Sequence, residues 1–438
     1  MAGVEALFYG ALGALLPPLS RLRLWPLWAA AAWTTMEWVR SGWPFSGMPW
    51  GRLAYGVVDT PVAPSLAYVG ATGVTFALAL LGALLVWLLV ARRGKRLLGI
   101  AGIVVVLAAI AGADLHPWEA EETGELRVAA VQGDVPGPGN DILWDHRQVT
   151  RNHAEATIQL AGRVRAGSED APDFVLWPEN STATDPFRDG ADNEAIVSAV
   201  GSIGVPVMVG GMVDGDATHV LNQGILWDPV TGPGERYTKR HPVPFGEYIP
   251  FRGIIDNWNF GRLAIVGRDM AAGTGKKPLT ITGTKVADAI CFDVAYDDVL
   301  YDQVSRGARL VTVQTSNATF IFTHQIEQQF AITRLRAIET GRYVVVASTN
   351  GITGVVGPDG RVIAEAEPRT TAVLNEQVGL VDALTPAVRM GPWPGRGLAV
   401  LTVVGLLLSA ATRRRRRSVE PAPQHDAPDT PDQELSLT

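Results

Sequence analysis

Hydrophobic positions along the chain follow two different patterns. Residues 66–91 carry no charged side chain and are long enough to cross a hydrocarbon core of ~30 Å as a helix. Residues 97–113 are shorter and equally uncharged, weaker apolar stretches precede them at 6–19 and 24–39, and another follows at 397–412. One such run alone would also suit a buried core helix, but two runs separated only by RRGKR favour membrane spans. The pattern predicts about four spans before the middle of the chain and one after it.

Basic clusters orient these predicted spans. RRGKR lies at 92–96, RRRRR at 413–417, and Arg21 with Arg23 lies between the first two apolar stretches. Lys and Arg are enriched in cytoplasmic loops, so we place all three clusters in the cytoplasm. The loop 41–65 and the large middle region then lie outside. The predicted parts are a membrane domain at 1–114, an extracytoplasmic domain at 115–395, a C-terminal span at 396–412, and a basic, then disordered, cytoplasmic tail at 413–438.

From Glu125 onward, short apolar runs alternate with amphipathic stretches of helical spacing, and Gly, Pro and Asp separate them. The predicted strands are 126–132, 174–179, 205–211, 219–228, 285–293, 309–317, 342–350 and 354–366. The predicted helices are 145–165, 191–203 and 324–341. Alternation of this kind favours an α/β layer architecture in which helices cover a sheet.

Composition excludes several classes of function. The net charge of −7 argues against nucleic-acid binding, which needs a basic excess to neutralise phosphates. A single cysteine excludes internal disulfides and cysteine-rich metal sites. The seven histidines are scattered, with no pair at i, i+4, so we expect no metal site and no cofactor.

Three reactive side chains come at the ends of predicted strands. Glu179 follows VLWP, Lys239 precedes a Pro-rich segment, and Cys291 ends AIC. A thiolate is the nucleophilic form of cysteine, a carboxylate can take the thiol proton, and an ammonium can stabilise an oxyanion. The N–H of Phe292 could be a second oxyanion donor. Taken alone, the cysteine could be an inert core residue, the glutamate a helix cap or a solvated side chain, and the lysine a solvent-facing loop residue. Together the three supply the nucleophile, the base and the oxyanion stabiliser that an acyl transfer needs.

The same residues lie in motifs that resemble the carbon–nitrogen hydrolase (nitrilase) superfamily: WPE with Glu179, KRHPVPFGEYIP with Lys239 and Glu247, and ICFD with Cys291. With membrane spans on both sides, the chain looks like the apolipoprotein N-acyltransferase family within it. Further similar segments are EWVRSGWPF at 37–45, SNATF at 316–320, RLRAIETGR at 334–342 and STNGITGVVGPDG at 348–360.

The resemblance implies an αββα sandwich inserted between transmembrane helices of a multi-pass plasma-membrane protein. It implies that the cysteine takes an acyl chain from a phospholipid as a thioester and passes it to the α-amino group of a lipoprotein's diacylglyceryl-cysteine. By resemblance Cys291 is the nucleophile, Glu179 the general base and Lys239 the oxyanion stabiliser. Glu247 orients the lysine. We expect a membrane-embedded monomer that uses no cofactor.

Three features depart from the family's pattern. Asp293 stands where the family has a glutamate, and we expect it in the pocket. In the segment SNA at 316–318, Ala318 stands where the family has an acid. The family also has more spans before the catalytic domain than the four counted here. The last difference predicts a truncated chain or a start at an internal methionine.

Apolar side chains near the site could contact lipid: Trp258, Phe260, Leu263, Phe320, Ile321 and Phe322. It is an equally good interpretation that these residues are ordinary core or surface residues of the domain. Two other functions stay open, namely a membrane-tethered amidase or nitrilase that uses water as the acceptor, and a non-enzymatic lipoprotein-binding factor.

Overall fold

The computed structural model describes residues 2–255 and 267–419. The helices are α1 (Ala2–Leu19), α2 (Trp25–Arg40), α3 (Ser65–Val90), α4 (Arg93–Leu115), α5 (His146–Arg165), α6 (Gly190–Ile203), α7 (Arg252–Ile255), α8 (Asp297–Val304), α9 (Gln325–Thr340), α10 (Pro386–Met390) and α11 (Trp393–Val419). The strands are β1 (Glu122–Gln132), β2 (Phe174–Leu176), β3 (Val207–Asp214), β4 (His219–Asp228), β5 (Gly232–Thr238), β6 (Asp269–Met270), β7 (Leu279–Ile281), β8 (Thr284–Ile290), β9 (Leu310–Thr315), β10 (Val344–Ser348), β11 (Gly354–Val356), β12 (Val362–Glu365) and β13 (Ala372–Val381).

The apolar stretches at both ends form the five helices α1–α4 and α11. Within the described residues, three helices are long and apolar enough to cross a membrane: Ser65–Val90, Arg93–Leu115 and Trp393–Arg414. Helix α1 is apolar but shorter. Helix α2 has 16 residues and buries Glu37 and Arg40, so its polar side chains face other parts of the protein.

The middle of the chain forms two sheets. One has the strand order β13-β1-β2-β3-β4-β5, with β6 beside β4, and the other has the order β12-β11-β10-β9-β8-β7. Strands β1, β2 and β3 run parallel at the centre of the first sheet, and β8, β9 and β10 do so in the second. Antiparallel strands flank both centres.

Alternation along β1 shows how the layers stack. Val128 and Ala130 belong to the core between the sheets, whereas Ala129 and Val131 pack beneath α5 and α6. Successive side chains of a strand point to opposite faces, so both faces of this sheet are covered. Helices α8 and α9 cover the second sheet. The result is the predicted αββα sandwich.

Several strands could not be predicted from the hydrophobic pattern of the sequence. Strand β5 (GPGERYT) is largely polar and exposed, and β13 (AVLNEQVGLV) is interrupted by three polar residues and is only partly buried in its first part. Their places in the sheet come from pairing with β4 and β1. Two predicted strands are also shorter than expected: β2 ends at Leu176 and β8 at Ile290. The residues beyond those ends carry the predicted chemistry.

Helix α3 joins the apolar helices to the sandwich. Leu66, Ala71 and Val74 belong to the same hydrophobic core as Leu335 of α9 and Val388 of α10. At Gly70 the backbone of α3 kinks, with a φ of 65°. The apolar helices α1–α4 and α11, called the membrane part below, therefore share a hydrophobic core with the sandwich through α3.

Candidate active site

Glu179, Lys239 and Cys291 come together at strand ends. Glu179 follows β2, and Lys239 and Cys291 come directly after β5 and β8, so the site spans the two sheets. The Lys239 Nζ atom lies 3.0 Å from Glu179 Oε1 and 2.6 Å from Glu247 Oε1. The Cys291 sulfur is close enough for the charges of all three residues to act on its ionisation. Ligands of α/β sheets commonly bind outside the carboxyl ends of the parallel strands, where β2 and β8 end here.

The Glu179 carboxylate accepts hydrogen bonds from other donors in addition to Lys239. Asn222 Nδ2 donates to Oε1 at 2.7 Å, and the Ser316 N–H donates to Oε2 at 3.0 Å. The Asn222 carbonyl also accepts from the Lys239 N–H at 2.9 Å, so one residue orients both members of the pair. Asn222 was not singled out from the sequence. Its amide is fully buried, which only the structure shows, and a buried amide requires hydrogen-bond partners.

Lys239 is completely buried between two carboxylates. Burial disfavours its charged form, but Glu179 and Glu247 outweigh this and hold the pKa of Lys239 well above its usual value. Burial raises the pKa of Glu247, and Lys239 opposes that rise. The Val243 N–H donates to Glu247 Oε2 at 2.8 Å and fixes that carboxyl against the lysine. Lys239 is therefore a permanently charged cation fixed at the site.

Cys291 occupies a tight turn. Its φ of 51° lies in the left-handed region, and a short 3-10 helix runs from Cys291 to Ala295. Desolvation, followed by the charge of Glu179, raises the pKa of the thiol to about 12, while Lys239 and Thr315 act in the opposite direction. The resting sulfur is thus a thiol at neutral pH, and attack requires a base within reach. The first N–H groups of a helix lack partners within it, which leaves the Phe292 N–H suited to an oxyanion.

Phe292 and Asp293 support the turn in different ways. The buried Phe292 ring stacks on Trp50, with centroids 6.0 Å apart. Asp293 is fully buried and accepts from Tyr237 Oη at 2.7 Å and from the Arg240 and His241 N–H groups at 3.2 and 2.8 Å. This carboxylate ties the turn at Cys291 to the chain that follows Lys239. Its place in the pocket stays a prediction.

The residues singled out as lipid-contacting are only partly described. Trp258, Phe260 and Leu263 lie outside the described residues. Phe320 ends a short 3-10 helix, Ile321 is half-buried, and the side chain of Phe322 is 73% exposed. Phe251, after the Glu247 segment, is 67% exposed. Large exposed aromatic side chains on the loops around the site suit contact with an apolar phase.

Ala318, at the position of the family's acid, is buried with Val135 and Val149, so this chain packs an apolar group there. Across the described parts of the chain, no group of three or more His, Cys, Asp or Glu side chains could hold a metal ion.

Comparisons with known sequences match two parts of the chain. Residues 1–84 match the family described as the apolipoprotein N-acyltransferase N-terminal domain, and residues 127–383 match the carbon-nitrogen hydrolase family. An apolipoprotein N-acyltransferase of Mycolicibacterium smegmatis is 38% identical over 93% of this chain and 72% of that protein. One from Azotobacter vinelandii is 32% identical over 85% of this chain and 70% of that protein.

Among solved structures, an amidase of the nitrilase superfamily from Nesterenkonia is similar over 62% of this chain and 95% of its own, at 16% identity and a TM-score of 0.42. A carbon-nitrogen hydrolase from Helicobacter pylori has 13% identity and the same TM-score. The resemblance found in the motifs is confirmed by the sequence matches. The chain belongs to the apolipoprotein N-acyltransferase family, whose members are acyltransferases that carry a carbon–nitrogen hydrolase domain.

Proposed function

We propose that this protein transfers an acyl chain from a membrane phospholipid to the N-terminal amine of a diacylglyceryl-modified lipoprotein through a thioester on Cys291. The observation that carries the proposal is the buried Glu179–Lys239–Glu247 cluster beside a protonated thiol, in a domain packed onto apolar helices. The names of the relatives support N-acylation of lipoproteins in general.

In the first half-reaction, Glu179 takes the proton of the Cys291 thiol as the sulfur attacks the ester carbonyl of the phospholipid. The Lys239 ammonium and the Phe292 N–H stabilise the oxyanion of the tetrahedral intermediate. The intermediate collapses by breaking the bond to the glycerol oxygen, which takes the proton from Glu179. A lysophospholipid leaves, and the acyl group stays on sulfur as a thioester.

In the second half-reaction, the neutral α-amine of the lipoprotein's lipid-modified cysteine attacks the thioester carbonyl. Glu179 takes a proton from the attacking nitrogen, and the same two donors stabilise the new oxyanion. Collapse breaks the carbon–sulfur bond and forms the amide. The thiolate then recovers the proton from Glu179, which restores the starting state.

The proposed setting is a monomer in the plasma membrane, with residues 115–395 outside the cell and 413–438 in the cytoplasm. The basic clusters at 92–96 and 413–417 support this orientation. Both proposed substrates carry acyl chains, so a site beside the membrane surface receives them without extracting them into water. The exposed Phe251 and Phe322 side chains support a lipid-facing entrance.

The test is mass spectrometry of a lipoprotein N-terminus from cells that lack any other N-acyltransferase and express either the wild type or Cys291→Ser. We expect the amide-linked acyl chain only with the wild type. If it is also present with the variant, the proposal is wrong. If the purified wild type releases free acid or ammonia from small amides and forms no acylated lipoprotein, the alternative amidase function replaces it.

A further inference from the structure

The loop between α2 and α3 reaches both segments that carry the catalytic residues. The Phe45 ring packs edge-on against Phe245 and Phe251, and Tyr248 Oη donates to the Phe45 carbonyl at 2.8 Å. These contacts hold the segment around Glu247. On the other side, Tyr296 Oη donates to the Gly47 carbonyl at 3.0 Å, so the same loop meets the end of the nucleophile turn.

Two side chains hold the last carbonyls of that turn. Tyr55, in this loop, donates its hydroxyl to the Ala295 carbonyl at 2.6 Å. Arg336 of α9 donates Nε to the Val294 carbonyl and Nη2 to the Ala295 carbonyl, both at 2.8 Å. The 3-10 helix that begins at Cys291 is thus fixed at its carboxyl end by donors from outside it.

The Arg336 guanidinium is itself tied to the membrane part. It pairs with Asp297 at 2.8 Å, and Asp297 pairs with Arg52 of the loop at 2.7 Å. Arg52 also donates to Thr72 of α3 at 3.0 Å. Arg336 pairs as well with Glu339, whose Oε1 accepts from the Ala71 N–H at 2.6 Å, beside the Gly70 kink.

This network is buried, and burial makes it rigid. Arg52, Arg336 and Glu339 are almost completely buried, and a charged group in such surroundings cannot exchange its partner for water without a large cost. Movement of α3 relative to the sandwich would therefore shift the donors that hold the Val294 and Ala295 carbonyls, and with them the positions of these carbonyls. These carbonyls belong to the same short helix as the Phe292 N–H and the Cys291 sulfur.

We propose that Tyr55 and Arg336 are positioning residues of the acyl-transfer site, through which the membrane part of the chain sets the geometry of the Cys291 turn. The inference rests on the proposed role of Cys291 as nucleophile. The membrane helices and their loop then serve the chemistry directly, in addition to holding the domain at the bilayer.

The chain offers a matched pair of variants. Tyr55→Phe keeps the ring and removes one hydroxyl that donates to a backbone carbonyl at 2.6 Å. Tyr68→Phe removes a hydroxyl that donates at the same distance to the His116 carbonyl, at an exposed position between α3 and the chain after α4, away from the turn. Because the Tyr55 bond is buried and the Tyr68 bond is exposed, thermal unfolding of both variants reports any general loss of packing.

The experiment uses the full-length protein in detergent micelles. The rate constant for alkylation of Cys291 by iodoacetamide is measured against pH without any lipid substrate, together with thermal unfolding and acyl transfer. The groups that act on this thiol are Glu179, Glu247, Lys239 and Thr315, and both variants keep all four. Because the chain has a single cysteine, alkylation reports on this sulfur alone.

For Tyr55→Phe we expect alkylation of Cys291 to be slower than in the wild type across the measured pH range and an acyl-transfer rate about tenfold lower, since a small misplacement of reacting groups costs rate steeply. For Tyr68→Phe we expect wild-type behaviour in both. Equal alkylation rates for Tyr55→Phe and Tyr68→Phe across this range would overturn the inference. Slower alkylation in Tyr55→Phe, with no acyl transfer by the wild type, would leave the positioning role intact and overturn the proposed function.

Discussion

At the scale of single residues, the proposed mechanism requires the site to generate its nucleophile during the reaction. The Cys291 thiol has its pKa raised to about 12, chiefly by desolvation, while Lys239 keeps its charge because two carboxylates face it. A cation that is already in place before the substrate arrives needs little reorganisation when an oxyanion forms. The same arrangement makes the lysine important for stability, because it is the cation that pairs with both Glu179 and Glu247.

Lys239→Met tests both roles. We expect turnover to fall by about a hundredfold or more, because an oxyanion donor is lost. We also expect the free energy of unfolding to fall by about 3 kcal/mol, because the buried Glu179 and the partly buried Glu247 remain without their cation. Chemical denaturation and acyl-transfer assays measure these effects.

Lys276→Met is the control for that variant. The Lys276 side chain is 55% exposed and pairs with Asp302 at 3.4 Å. Loss of an exposed ion pair changes the free energy of unfolding by about 0.5 kcal/mol or less. Equal effects of the two substitutions would contradict the role given to Lys239.

At the scale of elements, strands deliver the reactive groups and helices fix the strand ends. Helix α5 illustrates this through His153, which is fully buried beneath the first sheet. Its Nε2 accepts from the Gly133 N–H at 3.1 Å, just after β1, and its Nδ1 donates to the Val149 carbonyl at 2.7 Å. This pattern requires a neutral ring with the proton on Nδ1. The ring also packs against Trp177, two residues before Glu179.

The neutral state of His153 predicts a sensitivity to acid. Burial lowers its pKa from 6.5 to about 4, so the unfolded chain binds a proton at a pH where the folded chain does not. The stabilising contribution is complete above pH 6.5 and is lost as the pH falls toward 4, by about 3 kcal/mol in total. The free energy of unfolding, measured by denaturation across this range, should decline less steeply in His153→Gln. An unchanged slope in that variant would refute the assignment.

At the scale of the whole molecule, the membrane part and the sandwich share a core at the kink of α3. Gly70 has a φ of 65°, and a Cβ atom there would lie 2.8 Å from Tyr301 Oη and 3.1 Å from Glu339 Oε1. A side chain at this position is therefore strained by the backbone and crowded by the buried network. The kink also directs the Ala71 N–H to Glu339.

Gly70→Ala should lower the free energy of unfolding by about 1–3 kcal/mol, the cost of holding an alanine in this conformation. Thermal unfolding of the purified protein in micelles measures the loss. Gly82→Ala, in the same helix, adds its Cβ in open space and should leave stability unchanged or raise it by up to about 1 kcal/mol. A Gly70→Ala protein as stable as the Gly82→Ala protein would show that the kink is not required.

The sequence by itself determined the apolar runs, the α/β layer architecture and the three strand-end residues Glu179, Lys239 and Cys291, while the αββα arrangement came from the resemblance to the family. The runs, the layers and the three residues each follow from a local pattern: an uncharged run, an alternation, or a reactive side chain after an apolar strand. Strand β5 has no apolar run, and polar residues interrupt β13. The place of each in the sheet is set by pairing with the neighbouring strand. Only the tertiary structure decided that Asn222 orients Glu179 and Lys239, that Asp293 braces the lysine segment, and that Tyr55 and Arg336 hold the nucleophile turn. Those roles join residues far apart along the chain, so they arise from packing between elements and have no signature within any one of them.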